Sequence, residues 1–192
     1  MAILPVVLAS ASPRRKELLG HIVGNFTVEP AFVDETPLAN EGPTDIVRRL
    51  SINKTLNVAN KHLNSLVIGS DTIVAVDKTI LGKPLDYEDF LHKMQLLSNR
   101  KHNVYTGVCI CDASSAKALY LDEVVVTEVT MAEISTEEAL AYWQTNEPLD
   151  KAGGYAIQGI GGKFVKSIKG SYSAVVGLPL FETQRLIKKI TE

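Results

Sequence analysis

The segment Ser10-Ala11-Ser12-Pro13-Arg14-Arg15 brings two hydroxyls and two guanidiniums into one short stretch. Set beside the exposed amides of a helix start, such groups can converge on phosphate oxygens, because the planar fork of arginine suits bidentate binding of an oxyanion. The same residues also read as an N-capping serine followed by solvated arginines. Asp71 is a second focus, since it interrupts the apolar run from Leu66 to Val76, where an unpaired carboxylate would be costly. A metal ion, a cationic group or a water awaiting deprotonation would relieve that cost, and so would backbone amides at a strand end. Asp34 and Glu35 form another acidic point in a loop. A carboxylate there could share a magnesium-type ion with Asp71, because hard cations prefer oxygen ligands; the plainer reading is a solvated turn. Lys54 and Lys83 are either surface charges or phosphate ligands. Gln158, set among glycines in Tyr155-Ala156-Ile157-Gln158-Gly159, can read a base edge by donating and accepting together, or can stabilise a turn.

Positioning these residues needs a mixture of strands and helices. Val6 to Ala9 reads as a short buried strand, followed by a polar turn and a helix over Arg15 to Ile22. Pro43 and Thr44 open an amphipathic helix through about His62 that carries Arg48, Arg49 and Lys54. Leu66 to Val76 reads as a buried strand interrupted by the polar triplet Ser70-Asp71-Thr72. Gly82-Lys83-Pro84 is a loop before a helix from about Asp86 to Leu97, and Asn103 to Cys111 and Leu119 to Met131 are further strands. Ser135 with Glu138 forms a capping-box pattern opening a helix through Trp143, and Leu180 to Ile190 is a terminal helix with Lys188 and Lys189 placed well against its dipole. The expectation is an α/β fold with a mixed sheet.

Composition narrows the field. A chain of 192 residues with 45% hydrophobic and 22% charged residues has the make-up of one globular domain, here taken as 1–192. A net charge of −2 argues against a nucleic-acid polymer or a membrane surface as partner. Met1 to Ala9 is short and lacks a basic flank, so it reads as strand rather than signal peptide, and no run is long enough to span a bilayer. Cys109 and Cys111 fall on one face of a strand, which favours packing over a disulfide or a soft-metal site and fits a reducing, cytoplasmic setting. Seven of the 13 glycines lie between Gly153 and Gly177, so that stretch needs backbone freedom or close backbone approach, as in a wall against which a ligand packs. There is no Walker loop, no dinucleotide-binding glycine pattern opening a helix after the first strand, and no convincing Ser-His-Asp or Cys-His signature.

Taken in order, these segments resemble the Maf family of nucleotide pyrophosphatases. The resemblance is carried by Leu8 to Arg15, Val33-Asp34-Glu35-Thr36, Arg49 through Lys54, Gly69-Ser70-Asp71-Thr72, Gly82-Lys83-Pro84, Tyr105-Thr106-Gly107, Asp150 to Tyr155 with Ile157-Gln158-Gly159, and Gly170-Ser171-Tyr172 through Val175 to Pro179. It implies an ITPase-like α/β fold, an elongated mixed sheet with flanking helices and two lobes around a central cleft. It also implies cleavage of a nucleoside triphosphate between the α and β phosphates, aided by Mg²⁺ or Mn²⁺. Asp71 is then the proton acceptor for the attacking water and, with Glu35, a metal ligand; Ser10, Arg14, Arg15, Lys54 and Lys83 serve the phosphates and the transition-state charge. Arg14, Thr72 and Gln158, with Asp150-Lys151-Ala152-Gly153 upstream, look like the branch acting on dTTP and UTP, with Gln158 addressing the base. Ala11, where Gly is common, and Ser70, where Ala is common, depart mildly from the pattern. The resemblance also points to a homodimer and to a house-cleaning role that influences cell division. The competing readings are a pyrophosphatase for 7-methyl-GTP or other modified nucleotides, a non-catalytic regulator of septum formation, and a nucleotidyl transferase.

Overall fold

The computed structural model describes residues 4–114 and 119–192; the part of the first strand reading that falls on Met1 to Ile3 lies outside the described residues. The elements run β1 (Val6–Ala9), α1 (Pro13–Gly20), β2 (Thr27–Val28), α2 (Pro43–Ala59), β3 (Leu66–Val76), β4 (Thr79–Leu81), α3 (Tyr87–Leu97), β5 (Lys101–Asp112), β6 (Leu119–Met131), α4 (Thr136–Trp143), β7 (Val165–Lys169), α5 (Tyr172–Val176) and α6 (Leu180–Thr191). Three 3₁₀ segments, Glu147–Asp150, Ala152–Gly154 and Ile160–Phe164, fill the span between α4 and β7. The seven strands form one mixed sheet in the order β2-β1-β3-β5-β6-β7, with β4 paired to β3. β1 runs parallel to β2 and β3, while the β3–β4 and β6–β7 pairs are antiparallel. The fold is α/β, as expected. No helix among the described residues is long and apolar enough to cross a membrane.

The chain divides into two compact units. The first takes in the described residues of Met1–Asp71, Thr106–Val125 and Gly177–Glu192. Its α2 buries Ile46, Val47, Leu50, Ser51, Lys54, Thr55, Val58 and Ala59, a stripe at helical spacing. Val58 and Ala59 pack with Val7, Ala9, Val67, Cys111 and Ala113. Two glycines let this helix come unusually near the strands. A Cβ on Gly69 of β3 would collide with the Thr55 hydroxyl and lie 3.0 Å from the Ser51 carbonyl oxygen. One on Gly107 of β5 would run into the Val47 carbonyl. The Thr55 hydroxyl donates to the Ser51 carbonyl at 2.7 Å and stands 3.3 Å from the carbonyl oxygen of Cys109, so polar groups as well as apolar ones line the contact. Gly107→Ala is therefore expected to push α2 off β5 and to cost about 1–3 kcal/mol, the usual range for overpacking. Urea denaturation checks this: a midpoint equal to that of the parent would mean that the helix can retreat freely.

The second unit comprises Thr72–Tyr105 and Val126–Val176. Its core gathers Val74, Val76, Leu81, Phe90, Met94, Leu97, Val104, Val129, Met131, Tyr142, Tyr155 and Phe164. Phe90 packs against Trp143 with ring centroids 5.0 Å apart and against Tyr142 at 6.1 Å, so α3 and α4 meet through aromatic faces. The capping box of Ser135 and Glu138 is present at the start of α4.

Several boundaries differ from the sequence reading. α1 begins at Pro13, two residues earlier than expected, because Ser12 caps it and proline suits the first helical position. α2 stops at Ala59, with Asn60 as its C-cap, short of His62. β3, by contrast, has the bounds read from the sequence, Leu66–Val76, and includes the polar Ser70-Asp71-Thr72. Cys109 and Cys111 are both free and buried; burial pushes the Cys109 thiol up to about 12 and raises that of Cys111 as well.

Candidate active site

In the first unit, α1 and its leading turn set the hydroxyls and guanidiniums in place. The Ser12 hydroxyl accepts from the backbone N–H of Arg15 at 3.4 Å, which caps the helix, while the Ser10 hydroxyl accepts from the Ser12 N–H at 3.1 Å. Ser10 is buried at the end of β1. Arg15 donates through Nε to the Gly177 carbonyl at 2.9 Å and reaches the Ser10 hydroxyl through Nη1 at 3.5 Å. Burial is the largest influence on the Arg15 guanidinium and lowers its pKa; Asp71 opposes this, Arg14 adds to it and Glu35 opposes it again. Of the two readings of this segment, capping serine or phosphate cradle, the capping geometry is present. It leaves Arg15 half-buried, with its Nε on the Gly177 carbonyl.

The Gly177 carbonyl has a second neighbour. The Ser70 hydroxyl, fully buried on β3, lies 2.9 Å from that carbonyl oxygen and 2.8 Å from the carbonyl oxygen of Gly107, and its single proton can serve either. The strand residue immediately before Asp71 is thus tied to the same backbone group that anchors Arg15.

Asp71 and Lys54 form the centre of this unit. Both are nearly buried, at 6% and 8% exposure, and Lys54 Nζ lies 2.6 Å from Asp71 Oδ1. The same ammonium lies 2.6 Å from Glu35 Oε1. Lys54 can reach this point because the close approach of α2 at Gly69 sets the helix directly over β3, two residues before Asp71. The carboxylate that interrupts an apolar strand is thereby relieved by a cationic side chain. An ammonium between two carboxylates also explains how Lys54 can be buried, since each ion has its counter-charge.

Glu35 arrives from a loop that has its own brace. Arg49 of α2 forms a two-pronged pair with Glu41, Nε to Oε1 at 2.6 Å and Nη2 to Oε2 at 2.7 Å, and Nη2 also donates to the Thr36 carbonyl at 3.2 Å. The Glu41 carboxylate accepts the Leu38 N–H at 3.0 Å, and the Asp34 carboxylate accepts the Thr36 N–H at 2.9 Å. Asp34 therefore closes a turn, and Glu35 is the member of the pair that reaches Lys54. Arg49 opens one of the segments that carry the family resemblance, but nothing in the sequence marks Glu41 as its partner; a fork-shaped cation and a carboxylate eight residues apart are a usable signal once the loop–helix boundary is known.

Asp71 and Glu35 each supply carboxylate oxygens, one from each of which faces the Lys54 ammonium at 2.6 Å, so a divalent ion would have to share or displace that contact. Magnesium is commonly held by one or two carboxylates, with the remaining positions filled by water and substrate phosphates. Among the described residues there is no group of three or more His, Cys, Asp or Glu able to hold a metal. Asp71 and Glu35 are oxygen donors of the type such an ion takes.

In the second unit, Thr72 follows Asp71 along β3, and alternation puts the two side chains on opposite faces of the strand. Lys83 is exposed in the loop after β4, a loop fixed by the Gly153 N–H donating to the Gly82 carbonyl at 3.1 Å. Gly153 and Gly154 both have positive φ, at 71° and 76°, which glycine adopts without strain. Gln158 is exposed at the tip of a turn in which the Gly159 N–H donates to the Ala156 carbonyl at 3.2 Å. Nearby, His102 Nε2 and the Tyr155 hydroxyl share a hydrogen bond of 2.8 Å, and burial lowers His102 to about 4, so its ring is neutral near pH 7. The structure thus brings Ser10, Arg15, Glu35, Lys54 and Asp71 into one connected set within the first unit, with Arg14 beside Arg15 on α1. It holds Thr72, Lys83 and Gln158 on separate segments of the second.

The chain matches the model of the family described as Maf-like protein over residues 5–190. It is 50% identical over 184 residues to a dTTP/UTP pyrophosphatase of Pseudoalteromonas translucida, with 95% of each chain covered. It is 46% identical over 190 residues to a dTTP/UTP pyrophosphatase of Vibrio cholerae, with 98% of this chain and 100% of that one covered. Among solved structures, a HAM1 protein from Coxiella burnetii aligns with a TM-score of 0.44 at 15% identity, over 68% of this chain and 74% of that one.

Proposed function

Because the chain belongs to the Maf-like protein family, we infer that it is a nucleoside triphosphate pyrophosphatase that hydrolyses dTTP and UTP to the monophosphate and pyrophosphate. The observation in this chain that carries the reading is the buried Asp71 carboxylate, 2.6 Å from the Lys54 ammonium, in the same unit as the Ser10 to Arg15 turn and Glu35. Hydrolysis of a phosphoanhydride asks little covalent work of a protein; it needs a placed water, a proton acceptor and positive charge at the oxygens.

We assign Asp71 as the acceptor. Water attacks the α-phosphorus, Asp71 takes its proton, the bond to the bridging oxygen breaks and pyrophosphate leaves with that oxygen. Ser10, Arg14 and Arg15 receive phosphate oxygens, and Lys54 and Lys83 offset the charge that gathers there. Asp71 and Glu35 would hold Mg²⁺ or Mn²⁺, which when bound screens phosphate charge and makes a water more acidic. Gln158 reads the pyrimidine edge, and Arg14 and Thr72 help set that preference. We take residues 1–192 as one functional domain, since the family model spans both units. A free nucleotide as substrate and two free buried cysteines support a cytoplasmic house-cleaning role.

The test is pyrophosphate release by the purified chain with Mg²⁺ or Mn²⁺ across dTTP, UTP, CTP, GTP, ATP and 7-methyl-GTP, with the nucleotide product identified. Turnover is expected to be strongest for dTTP and UTP, to yield monophosphates, and to stop on chelation of the metal. Preference for 7-methyl-GTP would overturn the base assignment. No turnover of any nucleotide would overturn the catalytic reading and leave a regulator in its place.

A further inference from the structure

The glycine-rich stretch that carries Gln158 is wrapped around two side chains of the protein itself. α4 ends at Trp143, Asn146 turns the chain with φ 61°, and Glu147 is thereby delivered back beneath the segment that follows Tyr155. The Glu147 carboxylate accepts three hydrogen bonds: from the Tyr142 hydroxyl at 2.7 Å, from the Ile160 N–H at 3.0 Å and from the Gly161 N–H at 3.0 Å. The Tyr142 hydroxyl in turn accepts the Ala156 N–H at 3.1 Å. Both ends of the Ala156–Gly159 turn are thus fastened to one carboxylate–phenol pair.

The glycines on this turn answer to that pair. A Cβ on Gly159 would collide with the Glu147 carboxylate, and one on Gly161 would stand 2.9 Å from the backbone nitrogen of Ala156 after meeting the Tyr142 hydroxyl. Tyr142 is 1% exposed, whereas Gln158 at the tip is open to solvent. Burial alone would raise Glu147, but the bonds from Gly161, Tyr142 and Ile160, with the charge of Lys151, outweigh it and hold the carboxyl below its ordinary range. The anion is therefore a permanent part of the turn near neutral pH.

We infer that Glu147, through Tyr142 and the backbone on either side of Gln158, is a positioning residue for base selection: it holds the turn so that the Gln158 side chain starts from one fixed place. This rests on the reading that Gln158 addresses the base. A carboxylate that only capped the Ile160–Phe164 segment would not need Tyr142 to carry the restraint across to Ala156. Fastening both sides of the tip fixes the backbone from which the exposed Gln158 side chain departs.

The test compares Glu147→Gln, Tyr142→Phe and Gln158→Ala in the full chain, using dTTP, CTP and the base-free ribose 5-triphosphate. Glu147→Gln keeps the shape but sets an NH₂ group against amide donors, and Tyr142→Phe keeps the ring, so one of the two remains informative should the other fold poorly. Glu147→Gln and Tyr142→Phe are each expected to raise KM for dTTP about tenfold and to lower the dTTP to CTP ratio, while kcat and turnover of the base-free substrate stay within about twofold. Hydrogen exchange at the Ile160 and Gly161 amides should quicken in Glu147→Gln, and the double variant with Gln158→Ala should discriminate no worse than Gln158→Ala alone. Equal losses on dTTP and on ribose 5-triphosphate would overturn the inference, because the role would then be structural. An unchanged dTTP to CTP ratio in Glu147→Gln and Tyr142→Phe, beside a lost one in Gln158→Ala, would overturn it and leave the base reading standing. A Gln158→Ala variant that keeps the ratio would overturn both.

Discussion

Asp71→Asn is expected to lower kcat for dTTP by about a thousandfold, within the range that a positioned general base contributes. The substitution keeps the size of the side chain but removes its capacity to take a proton from water. Stability should suffer much less, because the Lys54 ammonium retains Glu35 at 2.6 Å as a counter-charge and is not left isolated. Measuring pyrophosphate release and thermal unfolding on the same preparation separates the two effects. A variant within about threefold of the parent rate would remove Asp71 from the mechanism, since a lost general base costs far more. A variant that has lost both rate and fold would instead say that the carboxylate is mainly a structural partner of Lys54.

Lys54→Met should reverse that balance. Methionine fills most of the volume of the lysine stem, so the change chiefly deletes the charge at a position 8% exposed. Asp71, itself 6% exposed, is left without its cation, and breaking a buried pair from one side costs about 3–5 kcal/mol. Glu35 is 60% exposed in its side chain and can turn to water, so most of the penalty falls on Asp71. The loss should shrink when Asp71→Asn is added to Lys54→Met, because no buried carboxylate is then stranded. Denaturant midpoints of the single and double variants check this. Equal destabilisation by Lys54→Met in the presence and absence of Asp71→Asn would point to lost packing of the lysine stem instead of a stranded carboxylate. Turnover should fall as well, since the ammonium that orders Asp71 and Glu35 has gone.

Both predictions depend on residues whose types could be read from the chain, and on distances that could not. The apolar runs of β1 and β3 and the capping box of α4 are local patterns, and they appear where the residues say they should. β2 has two exposed residues and β7 has none that is fully buried, so neither shows the apolar run or alternation that marks a strand; their pairing with β1 and β6 defines them. The Ser70-Asp71-Thr72 triplet interrupts the apolar run because polarity is a local property. The charge that offsets the buried Asp71 comes from Lys54, seventeen residues earlier, and no local pattern reveals that pairing.

The glycine cluster teaches the same lesson in another way. Its composition called for close backbone approach, and at Gly159 and Gly161 the approaching groups are Glu147 and Tyr142 of the chain itself. Neither residue stands out in sequence, since a glutamate beside a proline at a helix end is an ordinary surface pattern. The brace of Arg49 and Glu41 around the Glu35 loop was hidden for the same reason: each half lies on a different element and gains meaning only from the other.

The two cysteines of β5 bear on how the protein ages. Peroxides and alkylating agents attack the thiolate, and both thiols are buried and held in the protonated form, so the folded chain offers such reagents almost nothing. Damage must wait for β5 to be uncovered, and the pace of thiol loss in a stored sample becomes a clock for that opening. Oxidative wear would then fall on molecules already unfolding, sparing the working population until it opens.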